Sequence, residues 1–251
     1  MPARFEVSVM TEAAGSRPTF SAAVRRARAD GRVAVIPDIK VRSPKEGELL
    51  RGRDPVDLAV RFEAGGAPAL SVVTATGAFG GSLDLLARVA ESVRVPVLRK
   101  DFIRDLRDVE ATAKAGASAV LLIAAHLTST RLAALHEGAQ ALGLETLIEV
   151  HTEAELMKVL DLGLRLDALG INNRDITRLE TDAGTVANTE RLAALVPPGT
   201  LLVSESGIGS VDDVRRAVQA GATAVLVGTA LLLAADPVEA FHSFQWALQK
   251  V

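Results

Sequence analysis

Residues 220–228 read AGATAVLVG and nearly repeat residues 115–123, which read AGASAVLLI. Looser copies of the same phrase occur at 65–73, GGAPALSVV, and at 162–171, LGLRLDALGI. In each copy a glycine follows a stretch with helical periodicity and precedes a short apolar run. This order is typical of a helix C-terminus that leads into a buried strand. The repeat therefore predicts four helix–strand junctions.

The spacing of the copies predicts four more strands between them. Their glycines, Gly66, Gly116, Gly163 and Gly221, lie too far apart for one strand–helix unit and about right for two. The apolar runs RVAVIPDIK, VPVLRK, ETLIEV and TLLVSES fill the gaps. Eight strands are thus expected, starting near residues 33, 69, 95, 118, 145, 167, 200 and 223. Helical segments such as SVDDVRRAVQAG separate them, and several open with Ser, Thr or Asp as N-caps.

The composition of these strands indicates how they are arranged. Runs that are nearly continuous in Val, Ile and Leu are buried on both faces and hence parallel. Eight such strands alternating with helices predict a (β/α)8 TIM barrel, and an open doubly wound sheet is the alternative. The eightfold count and the pairwise repeat favour closure. We expect one α/β barrel domain over residues 33–251, after an N-terminal extension, residues 1–32, whose segment TFSAAVRRARAD forms one helix beneath the barrel.

Composition excludes several classes of function. The 251-residue chain contains no cysteine, which excludes disulfides and thiolate chemistry. Its net charge of −3 and the lack of a basic patch argue against a nucleic-acid partner. No apolar run reaches the roughly 20 residues that span a bilayer, and the first residues lack a secretory apolar core. We expect a cytoplasmic monomer or weak dimer without membrane contact, and without a metal because the four histidines show no ligand spacing.

Charged side chains occur where predicted strands end, which is where barrel enzymes carry their catalytic groups. The first strand ends with Asp38 and Lys40, and the third, fifth and seventh end with Lys100, Glu149 and Glu205. Because side chains alternate along a strand, Asp38 and Lys40 share one face, about 7 Å apart. Lysines and acids in one partly desolvated mouth shift one another's pKa values, which suits acid–base chemistry. A structural ion pair is the alternative interpretation of any single pair. This alternative is less favoured as more strand ends contribute charged groups to the same mouth.

Glycines after the last two strands predict a phosphate site. SESGIGS places Gly207 and Gly209 ahead of a helix, and VGTALL places Gly228 and Thr229 ahead of a short helical turn. In barrels, the loops after strands seven and eight often bind phosphate through backbone N–H groups. The ends of strands two and four, VVTA and LLIA, carry no charge.

The strand-end motifs together resemble the indole-3-glycerol phosphate synthase family. DIKVRSP, FGGSLDLL, VLRKDFI, LLIAAHL, LIEVH, GINNRDI, SESGI and LVGTALL occur in that family's order from about residue 18 to the end. RKDF, GINNRD and SESGI separate it from the phosphoribosylanthranilate isomerase and tryptophan synthase alpha barrels. The resemblance implies a carboxy-lyase of tryptophan biosynthesis that needs no cofactor. Such an enzyme closes the pyrrole ring of a carboxyphenylamino-deoxyribulose phosphate with loss of carbon dioxide and water.

The resemblance also implies roles for individual residues. Lys100 matches the general acid that protonates the substrate carbonyl, and Glu149 matches the base of the dehydration. Lys40 matches a second lysine that anchors the substrate carboxylate or assists proton transfer, and Asp38 and Glu205 complete the catalytic set. The implied substrate-binding residues are Asn172, Arg174, Ser206, Phe79 and Phe102, and the implied phosphate-binding residues are Ser43, Gly207, Gly228 and Thr229.

The chain departs from the family pattern at three places. Asp38 stands where the family has glutamate, and Lys45 and Ala75 replace a small residue and an acid. The segment before the first strand is shorter than in the family, so we expect it to lack a helix that covers the mouth. These departures keep other functions open. One is a paralogue that acts on a substituted anthranilate derivative, another is a Schiff-base aldolase or isomerase with a lysine nucleophile, and a third is a barrel that binds phosphate without chemistry.

Overall fold

Eight parallel strands close into a barrel in chain order. The computed structural model describes residues 17–29, 32–174 and 184–248. The strands are β1 Ala34–Ile39, β2 Leu70–Val73, β3 Val97–Lys100, β4 Ala119–Ile123, β5 Glu145–Val150, β6 Ala168–Asn172, β7 Leu202–Glu205 and β8 Ala224–Val227. Each begins within two residues of its predicted start, so the predicted barrel is confirmed and the open sheet is excluded.

Helices lie between successive strands, and further helices precede the first strand and follow the last. They are α1 Phe20–Ala29, α2 Pro55–Ala64, α3 Leu83–Ser92, α4 Leu106–Lys114, α5 Ser129–Ala141, α6 Glu153–Asp161, α7 Ala187–Leu192, α8 Val211–Gln219, α9 Thr229–Leu233 and α10 Pro237–Gln245. A two-stranded hairpin, Arg42–Ser43 with Gly47–Glu48, lies in the loop after β1. Over the described ranges, every helix is too short or too polar to cross a bilayer.

The N-terminal helix closes the lower end of the barrel. Phe20 and Val24 of α1 are fully buried and pack with the inward-facing Ile36 and Leu98. Strand neighbours of these residues, such as Val35, point outward against the helices. The predicted helix beneath the barrel is therefore present. The division into an extension and a barrel domain remains a prediction, because residues 1–16 lie outside the described part of the chain.

Side-chain caps fix where the helices begin. Asp54, Ser82, Asp105, Thr128, Thr152, Ser210 and Asp236 each accept hydrogen bonds from backbone N–H groups in the first turn of the helix that follows. Each cap contributes about 1 kcal/mol. Because the strands of the barrel are parallel, every loop after a strand begins at the same end of the barrel.

One glycine shapes the loop that leaves β2. The N–H of Gly81 donates to the carbonyl oxygen of Ala75 at 2.8 Å, which folds residues 75–81 back toward the strand. A Cβ at Gly81 would collide with the carbonyl oxygen of Val73 and would lie 2.7 Å from the carbonyl carbon of Thr74. Because both obstacles are backbone atoms next to the strand, neither has room to move.

Gly81→Ala should lower the free energy of unfolding by about 3 kcal/mol, since overpacking against backbone costs this much. Urea denaturation measures the change. Gly209→Ala is the matched control, because its Cβ would meet nothing nearer than Asp213 Oδ2 at 3.9 Å, and it should change the stability by less than about 0.5 kcal/mol. Equal stability of the two variants would contradict the steric argument.

Candidate active site

Two adjoining cavities open at the carboxyl ends of the strands. Lys40 and Lys100 line both of them. Lys40 directly follows β1, and Lys100 is the last residue of β3. The two lysines therefore stand at the boundary between the cavities. We call the cavity that contains Phe79 and Phe102 the apolar cavity, and the one that contains Gly207 and Gly228 the polar cavity.

The apolar cavity is mainly hydrocarbon. Its lining includes Val73, Ala75, Phe79, Phe102, Leu121 and Ile123. The ring centroids of Phe79 and Phe102 lie 6.3 Å apart, and the ring planes meet at 49°. The two rings are therefore in contact and form one continuous wall. Phe102 also packs on the ring of His126, at a centroid distance of 5.6 Å. The uncharged ends of β2 and β4 thus supply the apolar half of the site.

The polar cavity is built mainly from the loops after β6, β7 and β8. Arg174, Ser206, Gly207, Gly228 and Thr229 line it. Ser206 and Gly207 both adopt left-handed backbone conformations, with φ of 63° and 66°. This conformation is unfavourable for a serine, so the turn must be held by its surroundings.

Ser43 lies beside the site, in the hairpin after β1. Its side chain is buried, and its hydroxyl oxygen accepts the N–H of Glu46 at 3.0 Å. It belongs to the lining of neither cavity. A phosphate contact from Ser43 therefore stays a prediction.

Asp38 is held between two neighbours of β1. The hydroxyl of Ser71, its register partner on β2, donates to Asp38 Oδ1 at 2.6 Å. On the other side Gly228 approaches so closely that a Cβ there would lie 3.1 Å from Asp38 Oδ2. The short carboxylate lines the polar cavity. Ser71 fixes its direction, as a fully buried hydroxyl on the adjacent strand.

Lys100 is flanked by Arg99 and Asp101, which pair with each other. Arg99 forms a 2.9 Å ion pair with Asp101 and donates to Thr74 Oγ1 and Thr112 Oγ1. Thr74 in turn donates to Asp101 at 2.5 Å. This network ties the end of β3 to β2 and α4, which leaves Lys100 directed inward by strand alternation.

Glu149 and Asn172 complete the floor between the lysines. Both side chains are buried, at the ends of β5 and β6, and both line the apolar cavity. Asn172 Oδ1 accepts the N–H of Arg174 at 2.9 Å, so the asparagine is fixed in direction by the loop it begins. Carboxylate, amide and ammonium groups therefore meet at one place.

Glu205 lies beneath both cavities and is fully buried. Neither of its carboxyl oxygens has a hydrogen-bond partner. Room for them exists because residue 170 is glycine, whose Cβ would collide with Glu205 Oε1. Burial raises the pKa of Glu205 well above its ordinary value; the Glu149 and Asp38 carboxylates raise it further, and Lys100 opposes them. Burial therefore favours the protonated form of Glu205 in the folded protein, relative to a glutamate in water.

Comparison with known proteins agrees with this geometry. A family model described as indole-3-glycerol phosphate synthase matches residues 2–244. The chain belongs to the indole-3-glycerol phosphate synthase family. An indole-3-glycerol phosphate synthase of Thermococcus kodakarensis is 45% identical over 88% of this chain and 94% of its own length. Those of Pyrococcus furiosus, 44% identical over 90% and 96%, and Halalkalibacterium halodurans, 41% over 82% and 79%, are also similar.

The structure gives roles to residues to which the sequence analysis had assigned none. Ser71 orients Asp38, Gly170 makes space for Glu205, and Leu121 lines the apolar cavity. Asn173, the second asparagine of GINNRD, is buried behind the polar cavity. A serine within the apolar strand LSVV and a glycine within ALGIN were the available signals, since each interrupts an otherwise apolar run.

Glu205→Gln should make the protein more stable than wild type, by an amount that grows with pH. The unfolded glutamate titrates near about 4.3, and the folded one titrates higher. Between these two pKa values the folded state binds more protons, so wild-type stability falls as the pH rises. Glutamine at position 205 removes this loss.

Denaturation at a series of pH values from 4 upward tests this prediction. The exposed Glu91→Gln is the control and should show no comparable trend. A Glu205→Gln difference that is flat across pH, or that shrinks as the pH rises, would show that Glu205 is ionised in the folded protein.

Proposed function

We propose that the chain converts 1-(2-carboxyphenylamino)-1-deoxyribulose 5-phosphate to indole-3-glycerol phosphate, carbon dioxide and water. Membership of the family and the relatives named for this activity support the proposal. The observation that carries it in the structure is the pair of unlike cavities that share Lys40 and Lys100. The substrate has the same division, with an aromatic ring at one end, a phosphate at the other and the reacting ketone between.

The polarity of each cavity sets the orientation of the substrate. The carboxyphenyl ring lies in the apolar cavity against Phe79 and Phe102, where it loses little solvation. The phosphate lies in the polar cavity by the turn at Gly207 and the loop at Gly228, where glycines permit close approach of backbone N–H groups. The ketone then stands beside Lys100.

Ring closure needs an acid next to the ketone oxygen. The ring carbon that bears the carboxylate attacks the ketone carbon, a carbon–carbon bond forms, and Lys100 gives a proton to the oxygen. The bond to the carboxylate then breaks, and its electron pair restores the aromatic ring as carbon dioxide leaves. Lys40 holds the substrate carboxylate or assists the proton transfers.

Dehydration completes the indole ring. The new hydroxyl leaves as water with a proton from a lysine, and Glu149 removes a proton from the carbon next to the ring nitrogen. Asn172 and Arg174 orient the substrate, and Asp38 lies at the phosphate side of the lysines. Glu205 lies beneath these groups, where burial raises its pKa and favours its protonated form.

The setting of the reaction is also a proposal. The substrate is a phosphorylated aromatic small molecule, and the chain acts on it without a cofactor, as a cytoplasmic monomer or weak dimer. The absence of cysteine and the modest net charge support this view.

Lys100→Met should lower turnover by about 1,000-fold, the scale of a lost general acid. The fluorescence of the indole product measures the rate, and circular dichroism checks that the variant is folded. Lys114→Met is the control, because Lys114 is exposed at the end of α4, and its rate should equal that of wild type.

Two results would contradict the proposal. One is folded wild-type protein that forms no indole product at high enzyme concentration. The other is borohydride trapping of a sugar phosphate on Lys100 or Lys40, since the proposed reaction passes through no imine and trapping would indicate a Schiff-base enzyme.

A further inference from the structure

Asn173 uses its whole side-chain amide to join two strand ends and a helix. Its nitrogen donates to Ser204 Oγ and to the carbonyl oxygens of Glu205 and Ser206, each at 3.0 Å. Its oxygen accepts the N–H of Thr189 at 3.0 Å and the hydroxyl of Thr189 at 2.9 Å. The backbone N–H of Asn173 also donates to the carbonyl oxygen of Glu205 at 2.8 Å.

The partners of Asn173 are themselves buried and bonded to each other. Thr189 in α7 and Ser204 in β7 are fully buried, and their hydroxyl oxygens lie 2.7 Å apart. Water therefore has no access to replace a lost bond in this group. The arrangement ties the loop after β6 to the end of β7 and to the helix behind both.

The bond to the Ser206 carbonyl falls at a strained place. Ser206 is one of two non-glycine residues with positive φ in the described ranges, and Gly207 continues the same left-handed turn. A Cβ at Gly207 would lie 3.0 Å from backbone atoms of Gly184, so the turn is also packed against the loop that precedes α7. A serine stays in this conformation only when its surroundings hold it there.

We propose that Asn173 is a positioning residue for the anion subsite. Its side-chain nitrogen donates to the carbonyl oxygens of Glu205 and Ser206. These bonds keep the Ser206–Gly207 turn at the edge of the polar cavity, where the turn contacts the phosphate group. Asn173 itself lines neither cavity, so it acts only through the turn. The identity of the anion as the substrate phosphate rests on the proposed function.

A merely structural role makes a different prediction from a positioning role. If Asn173 only stabilised the barrel, its substitution would lower the melting temperature and leave the affinity of the folded protein for anions unchanged. If it positions the turn, anion affinity and KM change while kcat stays nearly constant, because Lys100 and Glu149 stand on other strands.

The principal variant is Asn173→Asp, which keeps the shape of the side chain and removes both N–H donors. The dissociation constant for inorganic phosphate, measured by phosphorus NMR titration, should rise at least tenfold, and KM should rise in parallel. The value of kcat should change by less than about threefold. Thr189→Val is a milder change, because it removes only the hydroxyl that donates to Asn173 Oδ1. It should raise the phosphate dissociation constant about threefold.

Matched variants separate positioning from stability. Thr146→Val removes a buried hydroxyl that contacts His136 at the opposite end of the barrel, and it should lower the melting temperature without changing phosphate affinity. Ser206→Gly relieves the backbone strain, because glycine adopts positive φ freely. In the Ser206→Gly background the effect of Asn173→Asp should therefore shrink to about threefold or less.

The phosphate titration also keeps this inference distinct from the proposed reaction. Wild-type protein that binds phosphate and forms no indole product would refute the reaction alone. The positioning role is overturned if folded Asn173→Asp, or Thr189→Val where the former does not fold, binds phosphate as wild type does. It is also overturned if Asn173→Asp raises the phosphate dissociation constant as much in the Ser206→Gly background as in wild type. Wild-type protein that binds no phosphate would overturn it too.

Discussion

The site depends on bringing two lysines and three acids together in a mouth where most of the side chains are buried. Lys40 is only 3% exposed, and Asp38, Glu149 and Glu205 are buried around it and Lys100. A charge in such surroundings is costly unless an opposite charge or hydrogen bonds offset it. Of the three acids Glu205 is the most deeply buried and neither of its carboxyl oxygens accepts a hydrogen bond, and this burial raises its pKa. The two lysines of this group lie between an apolar cavity and a polar one.

Polar networks behind the strand ends give this arrangement its rigidity. Arg99 with Asp101 braces β3, Ser71 fixes Asp38 on β1, and Asn173 joins β6 to β7. Each network is buried and links neighbouring elements, so that no reacting side chain depends on a loop alone. Precise placement matters because a displacement of about 1 Å can cost roughly 100-fold in rate.

The sequence predicted the fold and the charged strand ends because both follow from local rules. Glycine before an apolar run marks a helix–strand junction, and alternation places Asp38 and Lys40 on one face. It did not predict the partner of Asp38, because Ser71 reaches it only through the register of β1 against β2. The burial of Glu205 was likewise hidden, since it depends on a glycine one strand away.

The most direct test of the divided site is a crystal structure with indole-3-glycerol phosphate bound. The indole ring should lie against Phe79 and Phe102, the phosphate should contact the turn at Gly207 and the loop at Gly228, and the lysines should lie between them. A phosphate in the apolar cavity, or a product bound away from both lysines, would contradict the division of the site into an aromatic half and an anionic half.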